Sequence, residues 1–315
     1  MQLDNEIRRK AEHILAKHYE HLHVEVGGAR LVQGRGIRLY DVQIEMPIPG
    51  SAAQPLLHVD EALLVCNTQL DDLVAGRLQA ERLVVKRPTL RAQHLADGSW
   101  NLSKLWPPPS LGKRPPAVDV EAATVFTQLD PAQDQPPLAI RGVDLTLTPI
   151  VDATAPSERR YTMAATIRGA PAREIRLEGE VAPGAGGLRL RADVRDLKIS
   201  PELLASLWQG APGPLADWQL HALASGHATI ARPVGTATAP EWTCQFELSA
   251  GRLTHPLLPA PVTDFTCRGR GDTERCLVEH FAGKMGSANI VLACDRAGWE
   301  TAAPFALRAE VKNLT

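Results

Sequence analysis

The chain has 315 residues and a formal net charge of −2, with 34 Lys and Arg against 36 Asp and Glu. This balance argues against a protein that binds nucleic acid electrostatically, because such proteins carry a clear basic excess. Only 4% of the residues are aromatic, whereas there are 24 glycines and 25 prolines. Few aromatic residues and frequent turn residues favour many short strands, and they argue against a platform on which bases or sugars stack.

The first segment predicts a helix. From Leu3 to His18, apolar residues recur with a 3.6-residue period, with acidic residues first and basic residues later, as the helix dipole favours. This amphipathic helix, assigned to residues 1–24, would either plug one end of a sheet groove or lie on a membrane surface. Residues 201–209, which open on proline and end before glycine, predict a second helix.

Between and after these helices the pattern predicts strands and turns almost throughout, with roughly sixteen runs that alternate apolar and polar residues. A change of phase near Tyr40 predicts a β-bulge, and Pro88 within a strand run predicts an edge or a bulge. The pattern predicts a β unit over 25–106, a Pro-rich extended connector over 107–117 and further repetitive strands over 118–315.

An internal repeat supports this organisation. Residues 190–198 and 307–315 are identical at five of nine positions, and three of the remaining pairs are chemically similar. This internal repeat favours a repetitive sheet over a closed globular domain.

Motifs for catalysis are absent from the sequence, which has no Gly-x-Ser-x-Gly, no P-loop and no His-Glu-x-x-His. We therefore predict that the chain is not an enzyme and needs no cofactor.

Glycine-rich residues 184–187 lie between two predicted strands and predict a hairpin turn. Four histidines within eleven residues make a metal site conceivable, but a solvated cluster is favoured because no cysteine accompanies them. They are His13, His18, His21 and His23.

Five cysteines at irregular spacing form neither a disulfide framework nor a zinc knuckle. One bridge stays open, between Cys267 and Cys276 on neighbouring predicted strands.

The most specific signal lies between Leu63 and Leu105. A strand is followed by DDLVAGRL at 71–78, by a strand ending in KRPTL at 86–90, and by the turn DGSWNL at 97–102. This order resembles the N-terminal region of the AsmA-like family of bacterial envelope proteins. That family is similar to the TamB and YhdP-type proteins and, more distantly, to chorein-type bridge-like lipid transfer proteins.

The resemblance implies a mainly β fold, in which an elongated, curled antiparallel sheet forms a U-shaped hydrophobic groove, with an N-terminal amphipathic helix. Strands of period two supply one apolar and one polar face for such a groove. Sixteen strands about 4.8 Å apart would make a sheet roughly 75–80 Å long. The aliphatic residues expected to line the groove are Leu39, Leu83, Val85, Leu145, Leu147, Leu177, Leu190 and Val194.

The resemblance also implies a function: a non-enzymatic protein that shelters or conveys phospholipid acyl chains between membranes, in outer membrane biogenesis. Its place would be the bacterial cell envelope, on the periplasmic side of the inner membrane. Family members usually begin with an inner-membrane helix, and this chain stops within what resembles a repeat. We therefore expect an anchor before Met1 and a sheet that continues past Thr315.

The partners expected on this interpretation are phospholipids, the inner membrane through that anchor, and envelope proteins at either end, with no nucleic acid. Two alternatives stay open. The chain could be a β-rich envelope scaffold without lipid cargo, or the apolar faces could close on themselves as a β-sandwich whose aliphatic residues are core or bind a small molecule.

Overall fold

The structure is a computed structural model, and it describes the placement of most of the chain as helices and strands. The described residues are 2–46, 55–67, 79–93, 95, 100–105, 109, 115–128, 137–150, 160–182, 186–207, 218–235, 238–299 and 303–313. Two predicted motif segments, at 71–78 and 97–99, lie outside these residues, as does most of the Pro-rich connector.

Two α-helices and sixteen strands occur in the described residues. The helices are α1 (Gln2–His18) and α2 (Pro201–Leu207), and a one-turn 3₁₀ helix spans Asn101–Leu105. The first strands are β1 (His23–Val32), β2 (Gly36–Glu45), β3 (Pro55–Cys66), β4 (Ala80–Lys86), β5 (Thr89–Gln93), β6 (Ala117–Gln128), β7 (Leu138–Ile150) and β8 (Arg160–Gly169). The later strands are β9 (Ala172–Ala182), β10 (Gly187–Ile199), β11 (Gln219–Arg232), β12 (Glu241–Thr254), β13 (Val262–Asp272), β14 (Arg275–Met285), β15 (Ala288–Ala297) and β16 (Phe305–Lys312). The predictions of a mainly β fold and an N-terminal helix are confirmed.

Contacts divide the chain into two compact units. Unit 1 comprises Met1–Ile167 with Glu180–Ala185, and unit 2 comprises Arg168–Gly179 with Gly186–Thr315. In unit 2, β10 to β16 pair in chain order, each antiparallel to the next.

Unit 1 departs from a purely antiparallel sheet at one point. β4 and β5 together act as one broken strand, and β6 lies parallel to both of them. A parallel neighbour needs a crossover of a dozen residues or more, because the chain must return to its starting end. Residues 94–116 supply that length, and they include the 3₁₀ helix.

The 3₁₀ helix is held to β5 by a buried side chain. The Asn101 amide oxygen accepts from the Gln93 N–H at 2.8 Å, and its NH₂ donates to the Arg91 carbonyl at 2.9 Å. Asn101 is only 3% exposed, so these bonds also satisfy its own polar atoms. The WNL part of the sequence motif therefore has a structural role, since its asparagine takes the place of a neighbouring strand.

Residues in the left-handed region interrupt many strands. In unit 1 they are Asp41 (φ 49°), Arg87 (φ 47°), Ala122 (φ 53°) and Gly142 (φ 66°), and in unit 2 they include Asp196 (φ 50°), Ala250 (φ 49°) and Asp264 (φ 51°). Such angles are uncommon for residues other than glycine and mark irregularities that re-aim side chains. Pro88 lies at the break between β4 and β5, so the predicted interruption of that strand run is confirmed. Near Tyr40 the irregularity is the left-handed Asp41; the register of β2 with β1 and β3 does not shift there, so the predicted β-bulge is wrong.

Several of these residues keep a partner for the backbone N–H that the regular ladder would otherwise pair. The Ala122 N–H donates to Asp144 Oδ1 at 2.9 Å, and the Asp196 N–H donates to Ser225 Oγ at 3.0 Å. Arg87 N–H donates to a carbonyl of β6 at 2.8 Å. The irregularities are thus supported features of the strands, because no backbone donor is left unpaired at these three positions.

The core of unit 2 is built around Phe265, which is 1% exposed and stacks on Phe281 with ring centroids 5.0 Å apart. Glycines on both neighbouring strands make room for it. A Cβ at Gly283 would lie 2.8 Å from the Phe265 Cβ, and a Cβ at Gly251 would overlap the Phe265 ring.

We expect Gly251→Ala to lower the free energy of unfolding by about 1–3 kcal/mol, the usual effect of overpacking a core. A Cβ at position 251 would force the Phe265 ring to shift, and Phe281, stacked on that ring with centroids 5.0 Å apart, would have to shift with it. Urea unfolding followed by tryptophan fluorescence measures the change. Gly271→Ala on β13 is the matched control, since its Cβ would make ordinary contacts at 3.5 Å. Equal effects of the two substitutions would contradict this description of the core.

Candidate functional site

Three rows of aliphatic side chains cross the sheet of unit 1, because residues directly opposite each other on paired strands share a face. Row 1 consists of Leu31, Ile37, Leu64, Leu83, Val118, Leu147 and Met163. Row 2 consists of Ala29, Leu39, Ala62, Val85, Val120, Leu145 and Ala165. Row 3 consists of Val24, Ile44, Leu57, Leu90, Val125 and Ile140. Each row joins at least six strand segments without a polar side chain.

Rows 2 and 3 are separated by five residues on every strand they share, as in Leu39 and Ile44 on β2 or Val120 and Val125 on β6. In a regular strand an odd separation places two side chains on opposite faces. The left-handed residues lie between the two rows, for example Asp41 on β2 and Ala122 on β6. A left-handed residue reverses the side to which the following side chains point, so row 3 lies on the same face as rows 1 and 2. One face of the sheet is therefore apolar on both sides of these left-handed residues.

Helix α1 lies over the first strands of this face. Arg8 of α1 donates to the Val26 carbonyl of β1 at 3.2 Å, and Leu15 packs against the buried cluster that contains Val26 and Val42. Ile7, Ala11 and Leu15 of the helix are half-buried, whereas Leu3 and Ile14 are exposed, so the apolar side of α1 is only partly covered by the sheet. The two interpretations of α1, as the plug of a groove or as a helix on a membrane surface, stay predictions.

Between α1 and the sheet lies an apolar cavity of about 450 Å³. Pockets of roughly 300–1,000 Å³ hold small ligands. The helix contributes Leu3, Glu6, Ile7, Lys10, Ala11, Ile14 and Leu15 to its lining. The rest of the lining is Tyr19, Leu31, Ile37, Leu39, Val42, Ile44, Leu57, Val59, Ala62, Leu64, Leu83, Val85 and Pro109.

Polar groups at the cavity are few and lie at its margin. Glu6 and Lys10 are exposed and one helical turn apart on α1. The Tyr19 hydroxyl donates to the Leu105 carbonyl at 3.3 Å, and burial raises the pKa of Tyr19 to about 12. A bound water needs two to four polar partners, which this lining does not supply. The cavity therefore suits an apolar chain better than water or a polar solute.

The opposite face of the sheet carries charges at the level of the interruption. His58 Nε2 lies 2.9 Å from Asp41 Oδ1, and the Gln43 amide donates to the same oxygen at 3.0 Å. The hydrogen bonds from Gln43 and His58 lower the pKa of Asp41. Arg87 Nε donates to Asp60 Oδ2 at 2.8 Å. The two faces thus differ sharply, with aliphatic side chains on one and ion pairs on the other.

The structure places the predicted groove residues in both units. Leu39, Leu83 and Val85 line the cavity itself. Leu145 and Leu147 continue rows 2 and 1 onto β7, where they are half-buried between exposed polar neighbours. The remaining three, Leu177, Leu190 and Val194, lie in unit 2, half-buried on β9 and β10.

In unit 2, register joins Leu190 to Ile230 and Trp242. Val194 belongs to a longer row: Val194, Gly226, Phe246, Gly269, Val278, Cys294 and Leu307. Part of this apolar face is filled by its own side chains, since Phe246 and Phe281 pack against the cluster around Phe265. That part of the apolar face of unit 2 is therefore packed core, and the β-sandwich alternative stays a prediction.

All five cysteines of the chain are free thiols. Four of them lie on this same face of unit 2, namely Cys244, Cys267, Cys276 and Cys294. The bridge considered between Cys267 and Cys276 is wrong, because Cys267 lies opposite Phe281 while Cys276 lies opposite Gly271. Burial raises the pKa of the Cys267 thiol to about 11 and also raises the pKa of Cys276. Thiols held protonated behave as small apolar side chains.

Sequence reasoning did not identify the helix residues that complete the cavity, such as Ile7, Ala11 and Leu15. Nor did it identify row 3, because the odd spacing looks like a change of face. The repeated five-residue offset between aliphatic pairs was the available signal.

Among the described residues, no group of three or more His, Cys, Asp or Glu side chains converges as metal ligands would. In the same part of the chain, no helix combines the length and apolar character needed to cross a membrane. Comparisons of the chain with protein families, curated proteins and solved structures return no match. The AsmA-like resemblance therefore rests on the sequence motifs, and function has to be argued from geometry.

We expect Tyr19→Phe to remove part of the pH dependence of stability. The pKa of Tyr19 is raised to about 12 in the folded chain, against about 10 when unfolded. The unfolded chain therefore loses this proton first, and the free energy of unfolding falls as the pH rises from about 10 to about 12, by on the order of 2 kcal/mol.

Urea unfolding of the wild type and Tyr19→Phe across this pH range measures the difference. The variant also loses one hydrogen bond, which shifts its stability equally at every pH and leaves the slope informative. Parallel curves for the two proteins would show that Tyr19 is not buried in its neutral form.

Proposed function

We propose that this protein shelters the acyl chains of phospholipids on the apolar face of its sheet and conveys them between membranes of the bacterial envelope. The observation that carries the proposal is the apolar face of unit 1, which continues on both sides of the backbone irregularity. Three aliphatic rows run across paired strands, and a helix covers one end of them. A soluble sheet ordinarily buries such a face completely, or else uses it to bind something apolar.

The direction of the rows suits an extended chain. Each row runs across the strands, along the hydrogen-bonding direction, so an acyl chain lying on it would meet an aliphatic side chain about every 4.8 Å. Burial against these side chains contributes roughly 0.8 kcal/mol per CH₂ group. Because contacts at successive strands are alike, a chain can advance by one strand without losing a specific interaction.

The margin of the cavity suits a headgroup. Lys10 and Glu6 are exposed where α1 borders the apolar lining, so a phosphate and an ammonium group would each find an opposite charge while staying in water. The mechanism is passive on this view. The chain's residues bind, orient and exclude water, and no bond is made or broken.

A second candidate is a β-rich envelope scaffold without lipid cargo. The Phe265 cluster favours it, since that part of the apolar face of unit 2 is filled by phenylalanine side chains. Lipid binding distinguishes the two candidates.

We expect purified protein to bind a phospholipid with a fluorescent acyl chain, and Ala11→Phe to weaken that binding at least about tenfold. Ala11 lines the cavity from the helix side, so a phenyl ring there occupies the space of the acyl chain without altering the sheet. The matched control is Ala16→Phe, the same substitution on the same helix at an exposed position outside the lining.

Fluorescence titration and native mass spectrometry of delipidated protein measure the binding. Equal affinities for the two variants would place the lipid elsewhere. No binding by the wild type would leave the scaffold as the better explanation.

Conveyance needs a separate assay. Donor vesicles of phosphatidylethanolamine and phosphatidylglycerol carry a quenched fluorescent phospholipid, and transfer to unlabelled acceptors is followed as dequenching. We expect the protein to speed transfer and Leu145→Glu to slow it, because a carboxylate in row 2 interrupts the apolar path. Arg141→Glu, at an exposed position on the same strand, controls for charge. Equal transfer rates with and without protein would reject conveyance while leaving binding intact.

A further inference from the structure

An arginine cluster lies on the polar face of unit 2. Three neighbouring strands each contribute one arginine, namely Arg168 of β8, Arg176 of β9 and Arg195 of β10. All three approach the carboxylate of Glu174, whose side chain is only 15% exposed. Glu174 and Arg176 are two residues apart on β9, so they share a face, and Leu177 points to the opposite one. The sheet itself therefore separates this cluster from the apolar face.

The carboxylate of Glu174 gathers the three arginines at unequal distances. Arg176 Nη2 donates to Glu174 Oε1 at 3.2 Å. Arg168 Nε and Arg195 Nη1 lie 3.8 and 3.6 Å from the same carboxylate, where the attraction between opposite charges still acts but a hydrogen bond does not form. Three guanidinium groups also present many more N–H donors than one carboxylate can accept. Glu174 therefore holds the cluster together without using its capacity to donate hydrogen bonds.

Irregular backbone places two of these arginines. Arg195 lies within the register shift of β10 against β11. Beside it Asp196 has a φ of 50°, and the Asp196 N–H donates to Ser225 Oγ at 3.0 Å. Arg168 directly precedes Gly169, whose φ of 119° leads into the turn before β9. Bulges and turns of this kind re-aim side chains and are frequent beside functional sites, so the backbone itself brings the cluster together.

The cluster carries more positive charge than its own acid neutralises, since three arginines and one glutamate sum to a net charge of +2. By comparison, Glu279 on β14 contacts two arginines. The charged residues around the cluster offset one another. They are Arg173 and Asp196, 3.7 Å apart, Arg191 and Asp193, 3.3 Å apart, and the exposed Glu178 and Lys198 farther along β9 and β10. A net charge of +2 on exposed guanidinium groups is complementary to a dianion.

We propose that the arginine cluster binds a phosphate monoester group. Such a group carries a charge of about −1.5 to −2 at pH 7 and three strong acceptor oxygens, and the planar guanidinium fork matches its geometry. The arginine side chains are 52–64% exposed, so we expect weak binding that falls as the salt concentration rises. Soluble phosphate esters and the headgroup of phosphatidic acid present this same chemistry. The proposal does not depend on lipid binding by the apolar face.

An NMR titration of the full chain with phenyl phosphate tests the site. We expect the Nε–H signals of the three arginines to shift together and to saturate with one dissociation constant. Arg176→Gln and Arg195→Gln each remove a positive charge and donors beside the dianion, so each is expected to raise that constant about 3- to 10-fold. Both side chains are exposed, so the fold is retained, as circular dichroism can verify.

Arg189→Gln is the matched control, because Arg189 is exposed on the same strand as Arg195 but outside the cluster. The two residues are about 20 Å apart along β10, beyond the Debye length of about 10 Å at 0.1 M salt, so this substitution should leave the dissociation constant unchanged. Phenyl sulfate, which has the same shape but a single charge, should bind at least about fivefold more weakly. No shift with phenyl phosphate, equal binding of the two anions, or an effect of Arg189→Gln equal to that of Arg195→Gln would overturn the proposal.

Vesicles distinguish a lipid headgroup from a soluble phosphate ester. If a headgroup reaches the cluster, phosphatidylcholine vesicles that contain phosphatidic acid capture the protein in a flotation assay, and Arg195→Gln reduces that capture. Vesicles with the same fraction of phosphatidylglycerol, a phosphodiester with a single charge, should then capture less protein. Binding of phenyl phosphate without capture by either vesicle assigns the cluster to a soluble phosphate ester.

Discussion

The apolar face of unit 1 depends on one backbone constraint. Two stretches of each strand, five residues apart, must present their aliphatic side chains to the same side, although the two-residue period of a strand would send them to opposite sides. On β2, β6 and β7, and between β4 and β5, a residue in the left-handed region resolves the conflict, whereas no residue between the two rows on β1 or β3 has a positive φ. Asp41, Arg87 and Ala122 are left-handed without being glycine, a conformation that neighbouring structure must support.

That support comes from the polar face. Asp41 accepts hydrogen bonds from Gln43 and His58, and the Ala122 N–H is bound by the Asp144 carboxylate of the next strand. The ion pairs and hydrogen bonds outside therefore do more than keep the surface solvated. They hold the irregular backbone that keeps the other face apolar along the whole strand.

The apolar faces of the two units are covered in different ways. In unit 1 a helix covers the first strands and leaves a cavity of about 450 Å³ between helix and sheet. In unit 2 the large ring of Phe265 lies against glycines of adjacent strands and fills the space directly. Aromatic residues are scarce in this chain, so their concentration at one place distinguishes a packed core from an open apolar surface.

The amino-acid sequence by itself determined the secondary structure to a large extent. The 3.6-residue period of α1, the alternation in β10 and the proline at 88 each act within a few residues, so they can be interpreted without knowledge of the fold. For the same reason Leu39, which lies between Arg38 and Tyr40, could be placed on an apolar face, and Leu83 and Val85 could be placed together because they are two residues apart in one strand.

Only the tertiary structure decided which strands lie side by side, and therefore which aliphatic residues join into rows. The parallel placement of β6, the union of rows 2 and 3 on one face, and the position of α1 over that face all depend on contacts between residues far apart in the chain. A period of two records the face of each residue relative to its neighbours. It showed a change of phase near Tyr40, but it could not show that the aliphatic residues on both sides of that change would join into rows with those of distant strands, nor which side a distant helix would cover.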